Sequence, residues 1–549
     1  MNSDSAAVKP VLHRVFEAIF VDLVRQFRWS YLPPLLVYFA AGISGLTGIV
    51  GTFFVKEYLG LSAAFLAGLA FWAGIPWALK MPLGHLVDLV WRWKALLIYV
   101  GAGLVTASLV IMFMLVTHTD QMAAIMPISA WYVFSVILAP SGYVVQDSVA
   151  DAMSVEAVPR HAADGRELSE AETKALHTTM QTLGRIALIS GLVAVALLNI
   201  VMFDGVEAMD QAQKSGVYAR IYIMALVIPV ISISGVLLAA ILKIRRRASL
   251  RAHGHSPEEI DAMVDRPVDE VEANYWYFIG GGAFVVLTLA IGLSGVAYAQ
   301  EIVFAGSMLI VLALMRQLIA VLEPAKARAL IGTAIIIFVF RAVPLPGAGA
   351  TWFEIDVLGF DQQFLSVLSL ITSLLTLAGM IVLRPLIASR TITDIVILLT
   401  IAAGVLSLPN IGLYFGLHHW TGALTGGVVD ARFIAVMDTA VESPLGQIAM
   451  IPMLAWIAKN APYELKATFF AVMASFTNLA LSASSLLTKY LNQIFLVTRE
   501  VRDRATGEII TPAAYESLGW LLIVVATTAV VAPLITILIV QHTMFHTDE

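Results

Sequence analysis

The chain is 549 residues long, 59% hydrophobic and only 13% charged, with a formal net charge of −6, and its mean hydropathy is +0.86. That balance excludes a soluble globular enzyme and leaves a polytopic membrane protein, because apolar stretches of about 20 residues recur along it. The chain has no cysteine, which excludes disulfide frameworks, thiolate metal sites, iron–sulfur clusters and cysteine nucleophiles together.

The first thirty residues lack the pattern of a secretory signal. Leu12, Phe16, Ile19, Phe20, Leu23, Val24 and Phe27 share one helical face, so residues 1–30 are expected to form an amphipathic helix on the cytoplasmic membrane surface. The first turns of a longer spanning helix are the alternative.

Six spans follow, at Tyr31 to Val55, Ser62 to Leu86, Ala95 to Val116, Ala123 to Ala150, Thr178 to Met202 and Ala219 to Leu242. A charged linker, residues 243–274, opens on Lys243, Arg245, Arg246 and Arg247. Two further spans, Tyr275 to Ala297 and Ile302 to Leu322, occupy residues 275–322. The last six run from Leu330 to Leu345, Gln363 to Leu386, Thr393 to Phe415, Phe433 to Ile457, Thr468 to Phe495 and Trp520 to Val540. The expectation is an all-α membrane protein of about fourteen transmembrane helices. It divides into a six-helix bundle at 31–242, two extra helices, a second six-helix bundle at 329–541 and a cytoplasmic tail at 542–549. Two sixes joined by a charged linker are what a transporter built from two repeats shows.

Basic residues set the orientation. With the N-terminus inside, the cytoplasmic face receives Arg14, Arg25, Arg28, Arg92, Lys94, Arg160, Arg166, Lys174, the Lys243 to Arg251 cluster, Lys326, Arg328, Arg390, Lys459 and Lys466. The outside keeps Lys56, Lys214 and the group Arg499, Arg502, Arg504, which runs against the trend. Both termini are therefore expected in the cytoplasm, with a bacterial inner membrane as the location.

An ionisable group at bilayer depth costs about 2.5 to 3.5 kcal/mol on insertion scales, so each needs a partner, a water-filled cavity or a function. Asp147 and Asp151, four apart, share a helix face and would suit a proton-coupling switch or a substrate contact. Structural pairing with Lys80 or Arg185 is the other reading. Asp438 and Glu442 repeat the spacing, with Gln447 one to two turns on. They lie more than five turns ahead of Pro462, whereas Asp151 lies about two turns ahead of Pro159, so the two pairs sit at different depths. Asp438 and Glu442 are the better candidates for a substrate-accessible site, unless Arg432 holds Asp438 as a fixed pair. Arg185 and Arg341 each present a planar fork suited to a carboxylate. Trp77, beside Pro76 and one turn from Lys80, is the tryptophan best placed to stack on a flat ring, although most tryptophans here fit an interfacial belt.

His253 and His255 flank a glycine with no third ligand at a suitable spacing, and no glycine-rich phosphate loop ending in lysine occurs. No metal, no cofactor and no direct use of ATP are expected. Nothing points to a nucleic-acid partner, and a monomer in the lipid bilayer, working on a small-molecule solute, is the expected state.

Gly84, Asp88, Arg92 and Lys94 approximate the loop between the second and third helices of the major facilitator superfamily. The run Ile75-Pro76-Trp77-Ala78-Leu79-Lys80-Met81-Pro82-Leu83-Gly84 resembles a block of the folate-biopterin transporter family. The segment from Asp147 to Glu156 is similar to that family's fourth-helix acidic segment. In the second half Phe340-Arg341-Ala342-Val343-Pro344, Glu354 with Gly359-Phe360, Gln447 to Met453, and Ala461-Pro462 through Asn478 resemble its later blocks, in the same order. The likeness covers both sixes but not the two spans between them, and Asn460-Ala461-Pro462 stands where the family has a cysteine-proline pair. The resemblance implies a secondary transporter that moves a folate- or pterin-like organic anion by alternating access, with protons, and a gating role for Gly84, Asp88 and Arg92. A transporter of an unrelated metabolite, or a non-transporting assembly factor on the same fold, are the alternatives. A membrane-embedded enzyme lacks a recognisable constellation.

Overall fold

The computed structural model describes residues 27–545 apart from 56–60, 91–92, 159–165, 167–168, 265–274, 294–295, 321, 383–390, 447–465 and 503–508; for some helical residues, Asp88, Gln181 and Glu442 among them, only the backbone is described. The amphipathic segment expected at the N-terminus therefore lies almost wholly outside the described residues, as do Arg92 and Gln447.

The principal helices are α1 (Trp29–Phe54), α2 (Ala63–Val87), α3 (Lys94–Thr117), α4 (Ile128–Ala157), α5 (Glu170–Met202), α6 (Gln213–Ala252), α7 (Tyr275–Leu293), α8 (Ala299–Ile319), α9 (Pro324–Arg341), α10 (Ala348–Asp356), α11 (Gln362–Val382), α12 (Ile392–Tyr414), α13 (Ala431–Gly446), α14 (Lys466–Ile494) and α15 (Leu518–Gln541), with short helices at Thr119–Ile125, Pro257–Val264 and Leu417–Thr425 in the connections. Ten helices among the described residues are long and apolar enough to cross a membrane. The protein is an integral membrane protein.

Sequence chemistry decides where the helices begin and bend. Ser169 and Glu172 form a capping box ahead of α5, and Asp210 with Gln213 forms another ahead of α6, each satisfying otherwise orphaned amide donors. Pro324 opens α9, where its missing N–H removes no helical bond. α2 is interrupted by a 3-10 turn, Ile75–Leu79, which carries Pro76 at its start. α6 continues to Ala252, two turns or more beyond the apolar stretch that sequence assigned to it, because Lys243 and the arginines after it are good helix formers. The charged linker thus begins as an extension of that helix.

Tight helix pairs are made by glycine. A methyl group on Gly42 of α1 would run into the Leu188 carbonyl oxygen of α5, and one on Gly191 would stand 2.6 Å from the Phe39 carbonyl oxygen. Gly101 of α3 and Gly142 of α4 face each other in the same way, at 2.6 and 2.5 Å from each other's carbonyl oxygens. In lipid, close approach of small residues substitutes for a hydrophobic driving force between helices.

α1 packs on α5 and α6, and α3 on α4; in the second half α12 packs on α15, and α11 on α13. Two seams join the halves, α5 against α11 and α2 against α14. α7 and α8 pack on each other, and α8 lies on α14. The start of α1 and the end of α15 lie toward the same end of the helices, which we term the near end. At the opposite, far end the halves are bridged. Gln362 donates to the Tyr218 hydroxyl and Gln363 to Asp204, both at 3.3 Å. Arg499, 3% exposed, donates to the Val55 carbonyl at the end of α1 and stacks 5.5 Å over the Trp352 ring. A cation at a helix C-terminus is electrostatically favoured, which gives this arginine a structural reason to sit in a loop that basic-residue counting leaves unexplained. A short antiparallel hairpin, β1 (Val501–Arg502) with β2 (Ile509–Thr511), follows it.

Candidate functional site

The 3-10 turn within α2 re-aims the chain so that Lys80, the first residue of the regained α-helix, points at α4. Its Nζ lies 2.6 Å from Asp147 and 2.9 Å from Asp151. The two aspartates are one turn apart on α4, so a single ammonium spans both. The Tyr38 hydroxyl of α1 donates to Asp151 at 2.8 Å, and Gly184 of α5 lets that ring approach, since a methyl there would meet it at 3.0 Å. Side-chain exposure grades the group: 18% for Asp147, 23% for Lys80 and 44% for Asp151. Two carboxylates and one ammonium leave one net negative charge at this site, and Asp151 is its open member. Arg185 stands on an exposed position of α5, within Coulombic reach of Asp147. Of the two structural partners weighed from sequence, Lys80 makes the direct contact.

Trp77 enters through its backbone. Its carbonyl oxygen takes the Lys80 backbone N–H at the end of the 3-10 turn and, with its second lone pair, a 3.2 Å bond from Asn478 of α14. This is a direct link between the two halves, close to the Lys80 cluster.

In the second half Asp438 is buried on α13 at 7% exposed, and Asn410 of α12 donates to it at 2.8 Å. Arg432, the fixed partner considered from sequence, ion-pairs instead with Asp361 at 3.0 Å, stacks on Phe364 and donates to the Gly359 carbonyl. Glu442 lies one turn further along α13, and Glu354 of α10 is within Coulombic reach of Asp438. Arg341 ends α9, and its Nε and Nη1 are buried without a hydrogen-bond partner among the described residues. The Lys80 cluster and Asp438 belong to different halves, and no contact between them is seen among the described residues.

Gly84 lies inside the helix Lys80–Leu89, where a methyl group would meet nothing within 4 Å among the described residues. Lys94 and Glu156 form a 2.8 Å pair between α3 and the end of α4.

Sequence reasoning missed Tyr38, Asn410, and the pair Glu301 and Lys489, which are 2.6 Å apart. Asn410, beside Pro409 in an apolar run, carried a legible signal, as did the two charges at the ends of their helices. Tyr38 carried none, because a tyrosine in a spanning helix is ordinary.

The BT1 family profile matches residues 41–549. The chain belongs to the BT1 family. A folate-biopterin transporter of Synechocystis sp. is 26% identical to this BT1 chain over 179 residues, 32% of this chain and 35% of that protein; the matching stretch is thus about a third of the curated relative's length. Among solved structures, a peptide transporter POT in complex with alafosfalin superposes at a TM-score of 0.57 with 14% identity, covering 95% of both chains. A POT family transporter bound to a thioalcohol-conjugated peptide gives 0.56 with 12% identity, over 93% of this chain and 96% of that one. The nucleoside transporter NupG gives 0.55 with 12% identity, over 93% and 99%. At such identities the likeness is one of fold, and the fold is of the major-facilitator type.

Proposed function

We propose that this BT1 protein is a secondary transporter that moves a small organic anion of the folate or pterin kind across the membrane by alternating access, coupled to protons. The observation that carries the reading is Lys80 held between Asp147 and Asp151. By formal count the trio has one net negative charge in a partly buried place, and one added proton makes it neutral. Tyr38 ties Asp151 to α1 and Lys80 ties both carboxylates to α2, so a change of charge there alters how α4 sits against its neighbours.

The solute is assigned on two supports. The curated relative is named a folate-biopterin transporter, and the buried guanidinium of Arg341 offers two donors to a carboxylate. Arg185 is a second anion contact in this reading, and Asp438, Glu442 and Gln447 serve the amino or amide side of a pterin ring, which is rich in donors. Trp77 supplies a stacking face. Gly84, Asp88 and Arg92, with Lys94 and Glu156, work at the near end as the gate.

The organisation belonging to this reading is fourteen crossings arranged six, two and six: bundles at 31–242 and 329–541, the linker at 243–274 and the extra pair at 275–322. Both termini are cytoplasmic, in a bacterial inner membrane, and the bridged far end faces outward. Equilibrium binding of folate and of a simple pterin to the purified protein tests the assignment. Saturable binding weakened about tenfold or more by Arg341→Ala, the usual loss for a charged hydrogen-bonded contact, supports it. Saturable binding of neither compound removes this solute class.

A further inference from the structure

α7 and α8 stand outside the two sixes, yet the first turn of α8 is built to touch both. Tyr298, which caps α8, has a φ of 62°, a conformation a non-glycine residue adopts at some cost and keeps only where its surroundings demand it. It turns the chain so that two consecutive side chains leave α8 toward the seam between α2 and α14.

Gln300 reaches both sides of that seam. Its Nε2 donates to the Gly68 carbonyl of α2 at 3.0 Å, and its Oε1 accepts from Lys489 of α14 at 2.8 Å. A methyl group on Gly68 would stand 2.9 Å from that Nε2, so the glycine lets the amide come this close. Glu301 binds α14: its Oε1 accepts from Lys489 at 2.6 Å and from the Tyr490 hydroxyl. A cavity of about 650 Å³ opens beside these contacts, lined by Gly68, Trp72, Gln300 and Lys489 among others, so the seam at this end has room to move.

The two attachments differ in strength. Toward α14 there is an ion pair, a charge-assisted hydroxyl bond and a hydrogen bond from the Lys489 ammonium to the Gln300 amide oxygen; toward α2 there is, among the described residues, one neutral hydrogen bond to a backbone carbonyl. Charge-assisted bonds are roughly twice as strong as neutral ones, so when α2 and α14 separate at the far end the Gly68 bond is the one that yields. Lower down, Phe284, Val303 and Val311 of the pair share a core with Phe71 of α2 and Phe476 of α14, which keeps the helices at the seam.

We propose that the α7–α8 pair is a latch across the far end of the α2–α14 seam, anchored to α14 through Glu301, Lys489 and Tyr490 and released from α2 at the Gln300–Gly68 bond. The proposal rests on the alternating-access reading above. It makes the two extra helices the element that sets how readily the far end opens.

The chain has no cysteine, so introduced cysteines can be labelled without background. Spin labels on Phe65→Cys and Gln493→Cys report the far-end separation of α2 and α14 in the otherwise unchanged protein, without any need for transport. Gln300→Glu keeps an acceptor for Lys489 and loses the donor to Gly68; Gln300→Ala loses both bonds and guards against an effect peculiar to the added charge. The latch predicts that each variant raises the ratio of long to short separations about fivefold, the equilibrium change that one net hydrogen bond supports. Distance distributions in correctly folded Gln300→Glu and Gln300→Ala protein that match the parent overturn the latch. Failure of the solute assignment shows separately, as absent folate or pterin binding in protein whose separations still respond.

Discussion

Lys80 and Asp147, 67 residues apart in sequence, form a 2.6 Å ion pair that joins α2 to α4. Asp151 completes the site at 2.9 Å from the same ammonium. Removing the ammonium leaves two carboxylates facing each other, one of them half-buried and the other open. Lys80→Met is expected to destabilise the protein by about 1 to 3 kcal/mol, the range for leaving a partly buried hydrogen-bonding group without its partner. The double variant Lys80→Met/Asp147→Asn should recover much of that loss. Thermal unfolding in detergent reads both, and an additive double variant would show that the pair is not coupled.

Asp438 separates charge from geometry. Asp438→Asn keeps a carbonyl oxygen for the Asn410 amide, whereas Asp438→Ala leaves that donor without this acceptor. The expected result is near-parent unfolding temperature for Asp438→Asn with solute binding weakened roughly tenfold, and a further stability loss of about 1 to 3 kcal/mol for Asp438→Ala. Binding isotherms and unfolding curves on the same preparations check the pair.

The glycine contacts predict a position-specific intolerance. Gly101→Ala drives a methyl into the Gly142 carbonyl and the Gln146 side chain, at 2.6 and 2.7 Å. Overpacking of this kind costs about 1 to 3 kcal/mol. Gly84→Ala, in open space, is expected to match the parent or exceed it slightly in unfolding temperature, because alanine is the better helix former. A Gly84→Ala variant as unstable as Gly101→Ala would contradict the packing described.

Glu172 lies ahead of the apolar part of α5, which runs Thr182–Met202. The Arg166 guanidinium and the Ser169 amide and hydroxyl hold its carboxyl down, from the usual 4.5 to about 2. The folded state therefore binds this proton less readily than the unfolded chain, so its contribution to stability is full above pH 4.5 and disappears as pH falls toward 2. Glu172→Gln should flatten that part of the stability-against-pH curve. Since the group is exposed, the effect is small and is best read by titrating its carboxyl signal directly.

Much of the fold follows from the sequence because the bilayer imposes so simple a rule: apolar length and loop charge mark the helices. α6 departs from it, since Lys243 to Arg251 is polar yet helical, and apolar length does not register a helix that has left the membrane. The site was half legible. Charges such as Asp147 and Lys80 stand out against an apolar background, but their pairing depends on how α2 bends at Ile75–Leu79, which helical periodicity does not reveal. Arg432 illustrates the same gap, since its sequence neighbour Asp438 is one to two turns away while its partner Asp361 comes from outside that helix. Gly42 and Gly191 look like any glycines in a spanning segment until α1 and α5 are laid together.

The most direct test of the central claim is uptake of labelled folate and pterin into proteoliposomes with and without an inward proton gradient, comparing parent protein with Asp151→Asn. The account predicts uptake by the parent that the gradient stimulates, and a variant that still exchanges solute across the membrane but no longer responds to the gradient. Equal gradient stimulation in parent and variant would contradict a coupling role for the Lys80, Asp147 and Asp151 trio.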